Sequence, residues 1–273
     1  MYFSAGVSRI LADLLIPERR VHETPRYRMD ALLTAAASGM RARLEALDLM
    51  ANNIANAGTA GFKLDRESYN LYAAPEALEP DSPEPSTLPV VERNWIDFAQ
   101  GNLTPTGNPL DLALAGRGFF TVAGPGGPLY TRGGSFRLSP AGALTTFEGW
   151  PVLEAGGGTI QLQADLPFEV AQDGSIAQAG TLVGRLAVAE FDHPEALAKY
   201  GRNYFQAPDA GLAAKPAAGT GVEQGKIETS NVAVSESAVR LISLMRQFEM
   251  LQKAIAMDGE MGRHAIEEVA KVP

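Results

Sequence analysis

The sequence predicts an α+β chain in which long N- and C-terminal helices pair as a coiled coil and a central antiparallel β-rich domain lies between them. Three observations carry this. Leu33, Ala37, Met40, Leu44, Leu47, Ala51 and Ile54 alternate steps of four and three, which places a narrow apolar seam along one side of a helix. Val234, Ala238, Leu241, Met245, Phe248 and Ile255 repeat that spacing near the other end, interrupted by Gln252. Between the two, short apolar runs alternate with glycine- and proline-rich turns, as in Gly118-Phe119-Phe120-Thr121-Val122 followed by Gly124-Pro125-Gly126-Gly127.

Taken in order, residues 1–28 end in Pro25-Arg26-Tyr27-Arg28 and share no pattern with the helix after them. They read as an extension ahead of a working start at Met29, although Val7, Ile10, Leu11, Leu14 and Leu15 fall on one helical face. Residues 29–70 hold the first helix and its stop. Asp30 suits the N-terminus, and Ala31 to Ala57 contains no proline and a single interior glycine, Gly39, enough for a rod of roughly 40 Å. Asn52, Asn53, Asn56, Gly58 and Gly61 then favour the left-handed conformations that end helices and make turns. Asparagine amides both donate and accept, so the same cluster could instead tie neighbouring subunits together, and spacing alone leaves the two readings even.

Residues 71–89 carry Pro75, Pro80, Pro83, Pro85 and Pro89 and read as an extended connector. Residues 90–208 read as the β-rich domain, with strands expected at Asp111–Leu114, Gly118–Val122, Leu129–Arg132, Ser135–Leu138 and Arg185–Ala189. Residues 209–224 form a linker rich in Ala, Gly and Pro. Residues 225–273 hold the second helix, preceded by Ser230-Asn231 and broadened on its apolar side by Val239, Ile242, Leu244 and Leu251.

Composition excludes several functions. A formal net charge of -9 argues against nucleic-acid binding, which needs clustered Lys and Arg. With no cysteine there is no disulfide, no thiolate metal site and no cysteine nucleophile. His22, His193 and His264 lie in separate segments without ligand spacing, and Asp192-His193 and Glu267-Glu268 read as solvated surface. Gly116-Arg117-Gly118 and Gly124 to Gly127 lack the Lys-Ser/Thr of a phosphate loop and read as turns. Asn102-Leu103-Thr104 is a glycosylation-type triplet of the kind that arises by chance. No enzyme activity, metal, cofactor or small-molecule substrate is expected. No stretch reaches the ~18 apolar residues of a membrane helix, and no cleavable secretory signal is expected.

Four stretches together resemble a known family. Ala51-Asn52-Asn53-Ile54-Ala55-Asn56 with Gly58-Thr59-Ala60-Gly61-Phe62-Lys63 is similar to the N-terminal motif of bacterial flagellar rod and hook proteins. Asn108 to Leu114 with Gly116 to Phe120, Tyr130 to Phe136 with Pro140 to Leu144, and Gly225 to Val232 with Arg246-Gln247-Phe248-Glu249 resemble later signatures, in family order from Met29 to about Gly262. The resemblance implies a non-enzymatic subunit exported unfolded by the flagellar type III apparatus. Its terminal helices would form the inner layer of a tubular polymer with copies of itself and other rod and hook proteins, and its β domain an outer layer.

The length after Met29 suits a rod protein rather than a hook protein. The tail resembles proximal rod members, with distal members as the alternative and an extracytoplasmic β-domain binding module as the rival of another class. The resemblance places the protein in the basal body, in the rod that crosses the periplasm. The expected self-assembly residues are Leu33, Met40, Leu44, Leu47, Asn52, Asn53, Ile54, Asn56, Gly58, Gly61 and Phe62 on the N-terminal side. On the C-terminal side they are Ser230, Asn231, Val234, Leu241, Met245, Phe248 and Ile255.

Overall fold

A computed structural model describes residues 25–73, 87–201, 203–208 and 212–269. Most of the extension at 1–28, with its apolar face, and residues 74–86 of the Pro-rich connector lie outside the described residues. Two helices flank a region of short antiparallel strands. Helix α1 (Pro25–Ala55) begins four residues before Met29, because a proline in the first helical turn lacks only an N–H that would have no partner there. It stops where the sequence places its asparagines, and Asn56 N–H still reaches Asn52 O at 3.1 Å before the chain turns. Helix α2 (Val234–Val269) closes the chain.

The expected coiled coil is not what these helices form. Their wholly buried contact is confined to Ala46, Met50 and Leu244, with Leu47, Ile54 and Leu241 partly buried at its edge. On α1 the inward row is Ala42, Ala46, Met50 and Asn53, whereas Ala37, Leu44 and Ala51 of the heptad seam are exposed. On α2 the buried positions among the described residues are Ser237 and Leu244, and Met245 beside Leu244 is exposed. The reason is that α1 must serve two neighbours at once. Asn53 is fixed to the backbone of Asp65 in the following strand, and that attachment sets the rotation of the helix.

Strands Leu64–Ala73 and Thr87–Asp97 pair as a long antiparallel hairpin with a bulge at Ser68/Tyr69. The hairpin therefore runs into both ends of the stretch read as connector. Pro89 opposes Leu71 in a two-stranded ladder, where each strand has a free edge and a missing N–H is tolerated.

The largest sheet has six strands in the order Ala198–Tyr200, Tyr204–Gln206, Gly127–Thr131, Phe119–Gly124, Val188–Glu190, Lys215–Pro216. Successive side chains of a strand face opposite ways, and here both faces are covered. Phe120, Val122, Leu129 and Tyr204 enter one core with Leu112, Leu114, Phe136, Leu144, Ile176 and Val222. Phe119, Tyr130 and Phe205 enter a second with Phe191 and Leu197, against which Ile96 and Phe98 from the hairpin side pack. Phe98 meets Phe119 and Phe205 edge-on at 5.4 and 5.0 Å. Double coverage explains the adjacent aromatics Phe119-Phe120 and Tyr204-Phe205, and the second core brings the sheet up against the hairpin and the chain ends.

A three-stranded sheet (Phe168–Val170, Ser175–Gln178, Thr181–Arg185) and three two-stranded pairs complete the body. Two of those pairs bring the ends of the body together: Leu112–Ala115 with Gly221–Gln224, and Leu103–Pro105 with Lys226–Glu228. Packing is closest at Gly134, where a Cβ would lie 1.6 Å from Leu112 O. Gly134→Ala is expected to cost about 2–4 kcal/mol, whereas Gly58→Ala, with nothing within 4 Å of its Cβ position, is expected to be near neutral. Urea unfolding of the two variants checks this.

Candidate functional site

The motifs singled out in the sequence converge at one place, the junction between the two helices and the β body. Its centre is a buried ionic group. Lys63, reached from α1 through the turn at 56–61, donates from Nζ to Glu228 Oε1 at 2.6 Å and to Ala99 O at 2.7 Å. Arg132 Nη1 approaches Glu228 Oε2 at 3.3 Å, and Gly101 N–H donates to Oε1 at 2.9 Å. All three side chains are buried. Arg132 Nη2 donates to Gly116 O at 2.5 Å, and its guanidinium lies 5.2 Å from the centre of the Phe119 ring.

One carboxylate thus answers two cations, and backbone carbonyls take further donors. Burial pushes the Lys63 ammonium below its ordinary value, with the Glu228 charge opposing the shift; the same two causes act on Arg132. Such a group is specific about its partners, because any member left alone is a desolvated charge.

Around this centre the turn is held by backbone and amide contacts. Gly61 N–H donates to Glu228 O at 2.7 Å. Gly61 has φ +69, and a Cβ there would sit 2.3 Å from the Arg132 carbonyl carbon, so both conformation and space require glycine. Asn203 Nδ2 donates to Ala60 O at 2.6 Å. Phe62 is buried with the Lys199 ammonium 4.4 Å from its ring centre, and Lys199 also pairs with Asp65 at 2.5 Å.

Two asparagines act as backbone surrogates. Asn53 Nδ2 donates to Asp65 O at 2.8 Å while its Oδ1 accepts from Asp65 N–H at 3.0 Å. Asn231 Oδ1 accepts from Leu64 N–H at 2.8 Å, and its Nδ2 donates to Asp97 O at the same distance. Each amide holds one helix end to the hairpin base.

The expected assembly residues divide. Asn53, Gly61, Phe62 and Asn231 meet in the junction. Asn56 caps α1 locally, donating from Nδ2 to Asn52 O at 2.9 Å and accepting from the Thr59 hydroxyl; Asn52 itself is exposed. Ser230 Oγ accepts from Val232 N–H, and Gly58 is exposed. Leu47, Ile54 and Leu241 border the helix contact, and Met40, Phe248 and Ile255 are half-buried. Leu44, Val234 and Met245 are exposed, and the side chain of Leu33 lies outside the described residues. Lys63, Arg132 and Glu228 each fall within a motif, but no spacing marks them as a group. Asn203 carries no sequence signal, since it sits in a turn outside every motif.

The three side chains of the ionic centre, Lys63, Arg132 and Glu228, each fall in a stretch that the comparisons match. Residues 33–63 match the flagella basal body rod protein family, residues 113–183 the flagellar hook protein FlgE/F/G D1 domain, and residues 223–267 the flagellar basal body rod FlgEFG protein C-terminal region. The flagellar basal-body rod protein FlgF of Caulobacter vibrioides is 36% identical over 244 residues, covering 89% of this chain and 99% of that protein. The chain belongs to the flagellar basal-body rod protein family. FlgF of Mesorhizobium japonicum is 32% identical, covering 81% of this chain and 90% of that protein. The rod protein FlgG of Bacillus subtilis is 30% identical, covering 84% and 95%.

The chain is accordingly a structural subunit of the flagellar basal body, of a family that is structural rather than enzymatic, and is most like FlgF among rod proteins. Its family motifs serve, in this structure, to seat both helices of the rod subunit on one buried carboxylate. Glu228→Gln, which leaves Lys63 and Arg132 buried without a counter-charge, is expected to lower unfolding free energy by about 3–5 kcal/mol. Arg66→Ala, which removes the more exposed pair with Asp97, is expected to cost no more than about 1 kcal/mol. Chemical denaturation of both variants measures the difference.

Proposed function

We propose that this rod subunit assembles through the outward faces of its two helices, with copies of itself and with other rod and hook proteins, after export by the flagellar type III apparatus. The observation that carries this is the position of the α1 seam. Leu44 is 46% exposed, and Ala37 and Ala51 lie with it at the surface, while the helix meets its own chain through Ala42, Ala46 and Met50. An apolar stripe in heptad spacing that its own fold leaves unused is suited to a neighbouring helix. Leu33, Met40, Leu47 and Ile54 flank it, and Val234, Met245, Phe248 and Ile255 are the corresponding residues of α2.

Asn52 and Gly58, both exposed, lie at the end of the same helix and extend the proposed surface to the turn. Asn53, Asn56, Gly61, Phe62, Ser230, Leu241 and Asn231 contribute by fixing the helix ends from within. The β body, which carries its own two cores, stands apart from this surface as the outer layer.

Leu44→Asp and Ala46→Asp separate the two faces. Leu44→Asp is expected to leave thermal unfolding of the purified chain within about 1 kcal/mol of the original, since the site is half in water, and to abolish swimming in cells that have no other copy. Ala46→Asp, at a wholly buried position, is expected to destabilise the helix pair itself. Normal swimming by Leu44→Asp would refute the assignment of the face.

A further inference from the structure

The buried junction joins two cations and one carboxylate, and each comes from a different part of the chain: Lys63 from the N-terminal side, Arg132 from the β body, Glu228 from the C-terminal side. Arg132 is placed by the body itself, through Gly116 O and the Phe119 ring, with the Glu190 charge acting on it as well. Glu228 is also placed by the body. Its strand pairs with Leu103–Pro105, Thr229 N–H donates to Asn102 O at 2.8 Å, and Gly101 N–H donates to Glu228 Oε1 at 2.9 Å. One strand earlier, Gly221–Gln224 pairs with Leu112–Ala115.

The segment that carries Lys63 is held differently. The body reaches its flanks through Asn203, which donates to Ala60 O, and Lys199, which pairs with Asp65. Gly61 N–H and Leu64 N–H, on either side of Lys63, donate to Glu228 O and Asn231 Oδ1, both from the C-terminal side. Apart from Glu228, Lys63 Nζ donates to a carbonyl, Ala99 O, and Asp97, whose charge also acts on it, is engaged by Arg66. Without Glu228, Lys63 would enter a site where Arg132 is already a desolvated like charge. Burial lowers the Lys63 ammonium below its ordinary value and the Arg132 charge adds to that shift, while Glu228 opposes it.

We propose that Arg132 is a gate, which keeps the N-terminal segment, and α1 with it, from seating on the body until the C-terminal strand has brought in Glu228. Glu228 then meets Arg132 with Oε2 and presents Oε1 to Lys63. The order of docking is set by charge and runs opposite to synthesis, in which the N-terminal segment is made first. A chain whose C-terminal strand is not in place therefore has no fixed α1 stripe to offer a neighbour. That consequence rests on the reading of the outward helix faces as assembly surfaces.

Hydrogen exchange of the purified full chain tests the gate, read on a peptide over 60–65 and on one over 119–122 that reports whether the body is folded. Glu228→Gln should speed exchange at 60–65 by at least about tenfold and leave 119–122 protected. Adding Arg132→Met removes the like charge and should return 60–65 toward the original rate, whereas Arg132→Lys in the same background keeps the charge and should not. Exchange at 60–65 that is unchanged in Glu228→Gln, that Arg132→Met fails to slow, or that Arg132→Lys slows equally overturns the proposal. Should Arg132→Met loosen the body, seen as faster exchange at 119–122, Lys63→Met with Glu228→Gln removes the same repulsion from outside the body. Failure of that pair to restore protection at 60–65 overturns the proposal as well.

Swimming of cells carrying one copy of the gene separates the gate from the assembly reading. Glu228→Gln should lose swimming, and the double variant that restores protection should regain it. If exchange follows the gate but Glu228→Gln swims normally, a fixed α1 is not what assembly needs, and the outward-face reading falls together with the consequence drawn from it. If exchange does not follow the gate, the gate falls and the outward-face reading is untouched.

Discussion

The carboxylate of Glu228 is the contact on which the arrangement of the chain ends depends. It lies 165 residues from Lys63 in sequence and 2.6 Å from it in space, with Arg132 of the β body on its other oxygen. The backbone of Glu228 is used as well, pairing with Leu103 in a short ladder and accepting from Gly61 N–H. Eight residues before Lys63 α1 ends, and six residues after Glu228 α2 begins. Both helices are therefore aimed from a single point on the body. Because the charges are desolvated, a partly formed junction leaves an unpaired ion, and that penalty favours complete docking over intermediate positions.

This fixed origin decides which faces of the helices are used internally. Asn53 holds α1 to Asp65, so Ala42, Ala46 and Met50 turn inward while Ala37, Leu44 and Ala51 turn out. Alanines in the inward row let α2 approach closely, with Leu244 filling the contact. The helices touch as neighbours without forming a coiled coil, and Ala37, Leu44 and Ala51 stay at the surface, where we propose that a neighbouring helix packs. A rod subunit that satisfied its seam within one chain would have little left with which to assemble.

Much of the fold is legible in the residues. The asparagine-glycine stop at the end of α1, the glycine-bounded strands of the body and the family motifs all appear where local chemistry places them. Met29 is not the start of the helix, because Pro25, which would break a helix interior, opens this one. The hairpin from Leu64 to Asp97 is hidden by proline content, although Pro89 sits in a strand with a free edge. The inward face of each helix differs from the one its spacing suggests, for a physical reason. Periodicity reveals that a seam exists but not whether its partner is in the same chain, and on α2 Leu251 rather than the interrupting Gln252 is the more buried of the pair. The ionic centre is illegible because Lys63, Arg132 and Glu228 come from three distant segments that no local pattern links.

The absence of cysteine permits a direct test of the division between inward and outward faces. Leu44→Cys and Ala46→Cys, each in the otherwise unchanged chain, would be reacted with a water-soluble maleimide, first in the free subunit and then in isolated basal bodies. The account predicts that Cys at 44 reacts rapidly in the free subunit and is protected after assembly, while Cys at 46 is protected in both. Rapid labelling at 44 in the assembled rod, or protection at 44 already in the free monomer, would contradict it.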